Sequence, residues 1–231
     1  MAVDHLQSFH LILCISKLHH KIMKSIAEEL VNIRQIYLSL PTYVPLGAVR
    51  HSVRTDMTTK KIRFVALNVN QLEKGSSVLL REFQEMRAHT NDVELHFFGN
   101  VAPSLIAEVF FHGAYKSTEL DSILSTMDVG IIPSVWPEAY AYVGPEMLQR
   151  GIPLIVSSVG AMTEYVTHNV NGLHFDPNTP GDLARAMRSL VSDSDLLHRL
   201  RTNALASQLG IVSFADHIDA MEAIYAELCL A

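Results

Sequence analysis

The 231 residues predict an α/β fold with a mostly parallel sheet flanked by helices, on three observations. From residue 61 onward, short apolar runs alternate with helix-like segments, the pattern of repeated strand–helix–strand units. Apolar residues make up 48% of the chain and charged residues 18%, a balance that belongs to a well-buried globular protein and excludes general disorder. The length suffices for one α/β domain with a sizeable core but is short for two full ones.

Taken in order, residues 1–40 read as a small α/β unit. Residues 11–15 form a buried strand, Ser16 is a helix N-cap, residues 17–30 form a helix and residues 33–38 a second strand. Residues 41–60 carry Pro41, Pro45 and Gly47 without sustained periodicity and read as a linker. Arg63 interrupts the apolar run that begins at Ile62, so the first core strand is placed at 64–67. A helix over 76–86 comes next, then an alternating strand through Val93, Leu95 and Phe97, and a strand at 109–111. A helix over 118–127 and an apolar strand at 129–132 continue the series. The C-terminal third reads as helical, with Leu183, Met187, Leu190 and Val191 on one face and Phe214, Ile218, Met221, Tyr225 and Leu228 on another.

Several function classes are disfavoured at once. With 18 basic against 24 acidic residues the net charge is −6, so a nucleic-acid partner is not expected. Cys14 and Cys229 lie at opposite ends with neither metal-ligand nor disulfide spacing, which points to a reducing, cytoplasmic setting. The apolar run at 10–15 is too short to span a bilayer and lacks the flanks of a signal peptide, so no transmembrane segment is expected. His19 and His20 have no third ligand at metal spacing. After the first core strand the sequence runs ALNVNQLEKG, without the G-x-G-x-x-G of a dinucleotide site.

The most informative stretch is IIPSVWPEAYAYVGPEMLQRGIPLIVSSVG, which places Glu138 and Glu146 eight positions apart. It reads as strand, loop, helix, strand, with the first acid in the loop and the second on the helix. In parallel α/β sheets, ligands bind beyond the carboxyl ends of the strands, and a helix N-terminus there attracts phosphate. A polyhydroxylated, phosphate-bearing ligand fits two acids so placed.

In this context the chain resembles the retaining GT-B glycosyltransferases, particularly family 4 (group 1), in their C-terminal, donor-binding half. Glu138 and Glu146 match the family's paired acids, Pro133 and Ser134 the lead-in, and Gly151, Ile152 and Pro153 the exit. Glu164 on the next helix and Asn171-Gly172 at a turn match the continuation of the family pattern, and the likeness runs over about residues 60–228. The resemblance implies a Rossmann-like donor domain at 61–210, with 1–40 a remnant of the N-terminal acceptor domain. It makes 41–60 the interdomain linker and 211–231 the helix that crosses back. It implies a hexosyltransferase-like enzyme that moves a sugar, with retention, from a UDP-, GDP- or ADP-linked donor to an unidentified acceptor. No metal and no other cofactor are expected.

The resemblance also implies roles. Glu138 is the catalytic candidate, set against the donor sugar, and Glu146 accepts hydrogen bonds from ribose hydroxyls. The backbone of Ala139, Tyr140, Ala141, Tyr142 and Val143 would contact sugar and phosphate. The family often has glycine where Ala141 stands; either the sugar pocket is narrowed here or the flanking tyrosines pack in the core. Lys74 would neutralise the diphosphate. The family's glycine-arginine pair is replaced by Asn68 and Val69, which removes a guanidinium; either another cation substitutes, with His112 or Arg50 as candidates, or donor activation is impaired. Tyr115 lies where the family packs residues on the nucleobase.

With so little of an acceptor domain in view, a separate acceptor-domain subunit or self-association is expected, and the chain alone should bind donor but transfer little sugar. The alternative is a non-catalytic nucleotide-sugar-binding or assembly module, favoured by the short N-terminal part and by Asn68-Val69.

Overall fold

The computed structural model describes residues 6–40, 42–44, 61–207 and 211–230. Six parallel strands form the main sheet: β3 (Ile62–Leu67), β4 (Val93–Phe98), β5 (Val109–Phe111), β6 (Val129–Ile132), β7 (Leu154–Ser157) and β8 (Gly172–Phe175). Their spatial order is β5-β4-β3-β6-β7-β8. The order reverses between β3 and β6, so a crevice opens beyond the carboxyl ends of those two strands, the usual ligand position in such sheets.

Successive residues of a strand face opposite sides, and both sides here are apolar. On one side Phe64, Ala66, Leu95, Phe97, Ile131 and Ile155 pack against three helices, α2 (Ser76–Arg87), α5 (Asp182–Ser192) and α6 (Ser194–Ala206). On the other, Val65, Leu67, Leu154 and Val156 pack against α3 (Leu120–Leu124) and α4 (Val143–Leu148). Leu183, Met187 and Leu190 are buried as their periodicity predicts, with Val191 packed beside them.

Ahead of this sheet, β1 (Ile12–Cys14) and β2 (Ile33–Gln35) pair in parallel around α1 (Lys17–Ile26). Ser16 caps α1 by accepting from the His19 N–H at 3.0 Å. The last helix, α7 (Phe214–Leu230), reaches this small unit. Arg34 and Glu227 form a two-pronged ion pair, and the His217 ring lies 3.2 Å from the Tyr37 carbonyl oxygen.

Several expected boundaries move, each for a local reason. Arg63 does not break the first strand, because it sits opposite Glu94 on β4 and its Nε donates to that carboxylate at 2.8 Å. The helix expected over 17–30 stops at Ile26, and a turn then brings Leu30 into the core. Glu28 and Glu29 would have repelled the negative end of a longer helix. The helix expected over 118–127 shrinks to α3 after one 3₁₀ turn. Ser122, Ser125 and Thr126 each turn their hydroxyl back onto the carbonyl three residues earlier, which competes with helix extension.

Glu164 ends a 3₁₀ turn (Ala161–Glu164) rather than lying on an α-helix, and Gly172 opens β8, a strand the helical reading of this region does not include. On α7 the buried residue is Ile224, while Phe214, Ile218 and Tyr225 from the expected apolar face are exposed. The expected linker at 41–60 lies outside the described residues except for 42–44.

Candidate functional site

Two loops meet at the crevice. The β3 loop leaves Leu67 through Asn68, which adopts a left-handed backbone (φ 54°), and runs to a 3₁₀ turn (Leu72–Lys74) closed by Gly75. The β6 loop leaves Ile132 through Pro133 and Ser134. The two are stitched together, since the Val135 N–H donates to the Glu73 carbonyl at 2.9 Å and the Ser134 hydroxyl donates to the same oxygen at 3.0 Å.

This stitching sets the side chains. Lys74 Nζ lies 2.5 Å from Glu138 Oε1, and the Ser134 hydroxyl lies 3.0 Å from that same oxygen. The Glu138 side chain is 13% exposed and that of Lys74 34%, so both stand at the cavity edge rather than in open water. The backbone of Glu138 is fixed as well: its N–H donates to the Trp136 carbonyl at 2.8 Å, and its carbonyl accepts from the Ala161 N–H at 2.8 Å. Glu138 and Lys74 are thus one charge-assisted pair spanning the switch point.

The cavity holds about 350 Å³ and is lined by Asn68, Val69, Lys74, Ser134, Glu138 and all of residues 139–143, with Ile15 from the small N-terminal unit. Every loop residue expected from the sequence is therefore on its wall. Ala141 takes a left-handed backbone (φ 54°), the conformation for which glycine is favoured, and its carbonyl accepts from the Tyr165 hydroxyl at 3.2 Å. Tyr140 is buried against the rings of Tyr37, Tyr142 and Tyr165, yet it also lines the cavity. Burial pushes the Tyr140 hydroxyl up to about 12, so it stays a neutral donor.

Tyr115 stands one hydrogen bond behind the wall, its hydroxyl 3.0 Å from the Asn68 side-chain amide. Burial raises its pKa, and the nearby Glu146 carboxylate raises it further. Glu146 lies on α4, buried, and accepts a hydrogen bond from the Thr42 hydroxyl. It does not line the cavity with Glu138, but its charge reaches Tyr115.

Of the two substitutes for the missing guanidinium, His112 is not on the cavity wall. His112 stacks on Phe98 at 4.2 Å and on His96, and burial lowers its pKa, which favours the neutral ring. Arg50 lies outside the described residues. Among the described residues on the wall, Lys74 is the one basic side chain.

Three contributors escape sequence reading. Ser134 reads only as lead-in, although a hydroxyl four residues before an acid at a strand end is a local signal for a carboxylate partner. Ile15 and Thr42 reach the site from far along the chain, and no local pattern announces them.

The family profile described as "Glycosyl transferases group 1" matches residues 51–206, more than half of the chain. An uncharacterized glycosyltransferase of Methanocaldococcus jannaschii is 33% identical over 97 residues, which cover 42% of this chain and 25% of that protein. Among solved structures, sucrose-phosphate synthase from Thermosynechococcus elongatus superposes with a TM-score of 0.79 at 18% identity, covering 99% of this chain and 61% of that one. HepE of Anabaena, solved in complex with UDP and glucose, gives a TM-score of 0.79 at 17% identity, over 97% of this chain and 66% of the other. The chain thus spans less than two thirds of the length of each of these relatives. At such identities the structural likenesses show the fold, an α/β architecture matching the GT-B glycosyltransferases. The profile match shows the family: this chain belongs to the group 1 glycosyl transferases.

Proposed function

We propose that the chain is the donor-binding half of a retaining glycosyltransferase, taking a nucleotide sugar into the crevice between β3 and β6. The observation that carries this reading is the Lys74–Glu138 pair at 2.5 Å, held by Ser134 across the switch point. An ammonium and a carboxylate there suit the two ends of the bond that must break. Lys74 faces the negative charge gathering on the departing diphosphate, and Glu138 faces the positive charge gathering on the sugar. The anomeric carbon–oxygen bond breaks and the diphosphate oxygen keeps the electron pair. The acceptor oxygen bonds to the anomeric carbon, and its proton passes to the leaving phosphate. Glu146 would hold the ribose, and Tyr115, behind Asn68, the base.

The UDP and glucose held by HepE are of this ligand class. Among the described residues no group of three His, Cys, Asp or Glu side chains could hold a metal ion. Among the same residues no helix is long and apolar enough to cross a membrane. On this reading residues 1–40 belong to an acceptor-side domain. The acceptor wall is then supplied by a further part of the protein or by a separate subunit.

A second reading, a binding module without turnover, is favoured by the wall's single basic side chain among the described residues, which Glu138 already engages. One experiment tests both. Nucleotide sugars linked to UDP, GDP or ADP are incubated with the chain and a chelator, and NMR follows the anomeric configuration of the released or transferred sugar. Retention of configuration without metal is the expected result. Inversion, or release only with a divalent cation, would contradict the first reading, and binding without any release would favour the second.

A further inference from the structure

We propose that Thr42 is a positioning residue for Glu146, holding one carboxylate oxygen so that the other is presented to the ribose diol. This rests on the donor-binding reading above, in which Glu146 receives ribose hydroxyls.

The Thr42 hydroxyl donates to Glu146 Oε1, a contact made across 104 positions of sequence. Among the described residues Oε2 makes no hydrogen bond, so one oxygen is tethered and its neighbour is left with its acceptor capacity. The tether is built rather than incidental. Gln149, fully buried, accepts from the Val44 N–H at 2.9 Å through its amide oxygen and donates to the Thr42 carbonyl at 3.0 Å through its amide nitrogen. It therefore grips both ends of residues 42–44 much as a neighbouring strand would. Arg150 adds a donor to the Glu146 carbonyl at 2.8 Å and is itself anchored on Asp121 at 2.6 Å.

Gln149 and Arg150 lie three and four positions after Glu146, on the same side of the chain as it leaves α4. The segment bearing Thr42 is thus fastened to the element that carries the acid it addresses. A glutamate side chain has three rotatable bonds, and ordering it when ligand arrives weakens binding. A hydrogen bond that orders it beforehand removes that loss.

The test uses Thr42→Val, which keeps the shape and deletes the donor, with Thr42→Ser to restore it. UDP, GDP and ADP are titrated into each protein alongside their 2′,3′-dideoxy counterparts. The tightest-binding ribonucleotide should lose about three- to tenfold in affinity with Thr42→Val and recover with Thr42→Ser. The dideoxy nucleotide, which lacks the diol, should bind all three proteins alike. Gln149→Met, which unfastens the segment without touching Glu146, should reproduce the ribose-specific loss and serves if Thr42→Val does not fold. Unchanged ribonucleotide affinity would overturn the inference. So would an equal loss for the dideoxy nucleotide, which would mark Thr42 as merely structural. A parent that binds no nucleoside diphosphate, or that does not distinguish ribose from dideoxyribose, would instead overturn the donor-site reading beneath it.

Discussion

Replacing Glu138 with glutamine should abolish sugar release from a bound donor while leaving nucleoside-diphosphate affinity at the parent's level or above it. Glutamine keeps the shape of the side chain and its contact with Ser134 but removes the negative charge that would face the developing positive charge on the sugar. Loss of one well-aimed electrostatic partner lowers rates on the order of 10²–10³-fold. The diphosphate should behave differently, because on the proposed reading Glu138 and the phosphate would compete for the same ammonium. Lys74 sits 2.5 Å from the carboxylate, so neutralising that carboxylate leaves Lys74 freer to turn to the phosphate. Donor hydrolysis measured beside diphosphate titration checks both halves. Parent-like hydrolysis by the glutamine variant would remove Glu138 from the chemistry.

The second large effect is structural. Gly75 closes the turn that carries Lys74, with a left-handed backbone at φ 75°. A Cβ built there would lie 1.9 Å from the Pro133 carbonyl oxygen and 2.8 Å from its carbon. Both are backbone atoms of the β6 loop, so no side chain can swing aside. Gly75→Ala must push apart the two loops whose stitching places Lys74 against Glu138. Backbone strain alone costs about 1–2 kcal/mol for a residue with a side chain. The overlap should bring the total to roughly 3 kcal/mol or more, within the range of severe single substitutions. At about 2–4 °C per kcal/mol for a chain of this size, the melting temperature should fall by roughly 6 °C or more, with nucleotide binding impaired in the folded fraction.

Gly113 is the natural control. It has the same φ of 75°, but nothing lies within 4 Å of its would-be Cβ, so Gly113→Ala should show the strain without the overlap. Equal destabilisation of the two variants, measured by calorimetric melting, would refute the steric argument.

Legibility of the fold in the sequence tracks the range over which each feature is determined. The strand at Val129–Ile132 is read from its apolar run because a parallel strand buried along its length is apolar throughout, and the edge strand Val109–Phe111 keeps an apolar run although Phe110 is exposed. β8 is not read because His174 interrupts its apolar run, leaving Leu173 and Phe175 as single apolar residues. What makes them a strand is pairing with β7, Leu154 against Gly172 through Ser157 against Phe175. Arg63 misleads for a related reason, since its compensating partner Glu94 is on another strand.

On α7 periodicity can identify an apolar stripe but not which side the small N-terminal unit covers, and Ile224 is the residue buried. At the site, the order of motif residues around Glu138 and Glu146 is local and can be read. The ion pair to Lys74 joins residues 64 positions apart, and the Thr42 contact joins residues still further apart, so both emerge only when the chain folds.

The central claim, that the crevice between β3 and β6 receives a nucleotide sugar, is tested most directly by calorimetric titration of UDP, GDP, ADP and their sugars into the chain and its Glu146→Gln variant, in the presence of chelator. One nucleotide class should bind the parent at a single site. The variant should bind it roughly tenfold or more weakly, because a charged acceptor to a hydroxyl pair is worth on the order of 1.5–3 kcal/mol. Absence of binding to every nucleotide, or binding that ignores the loss of the Glu146 charge, would contradict it.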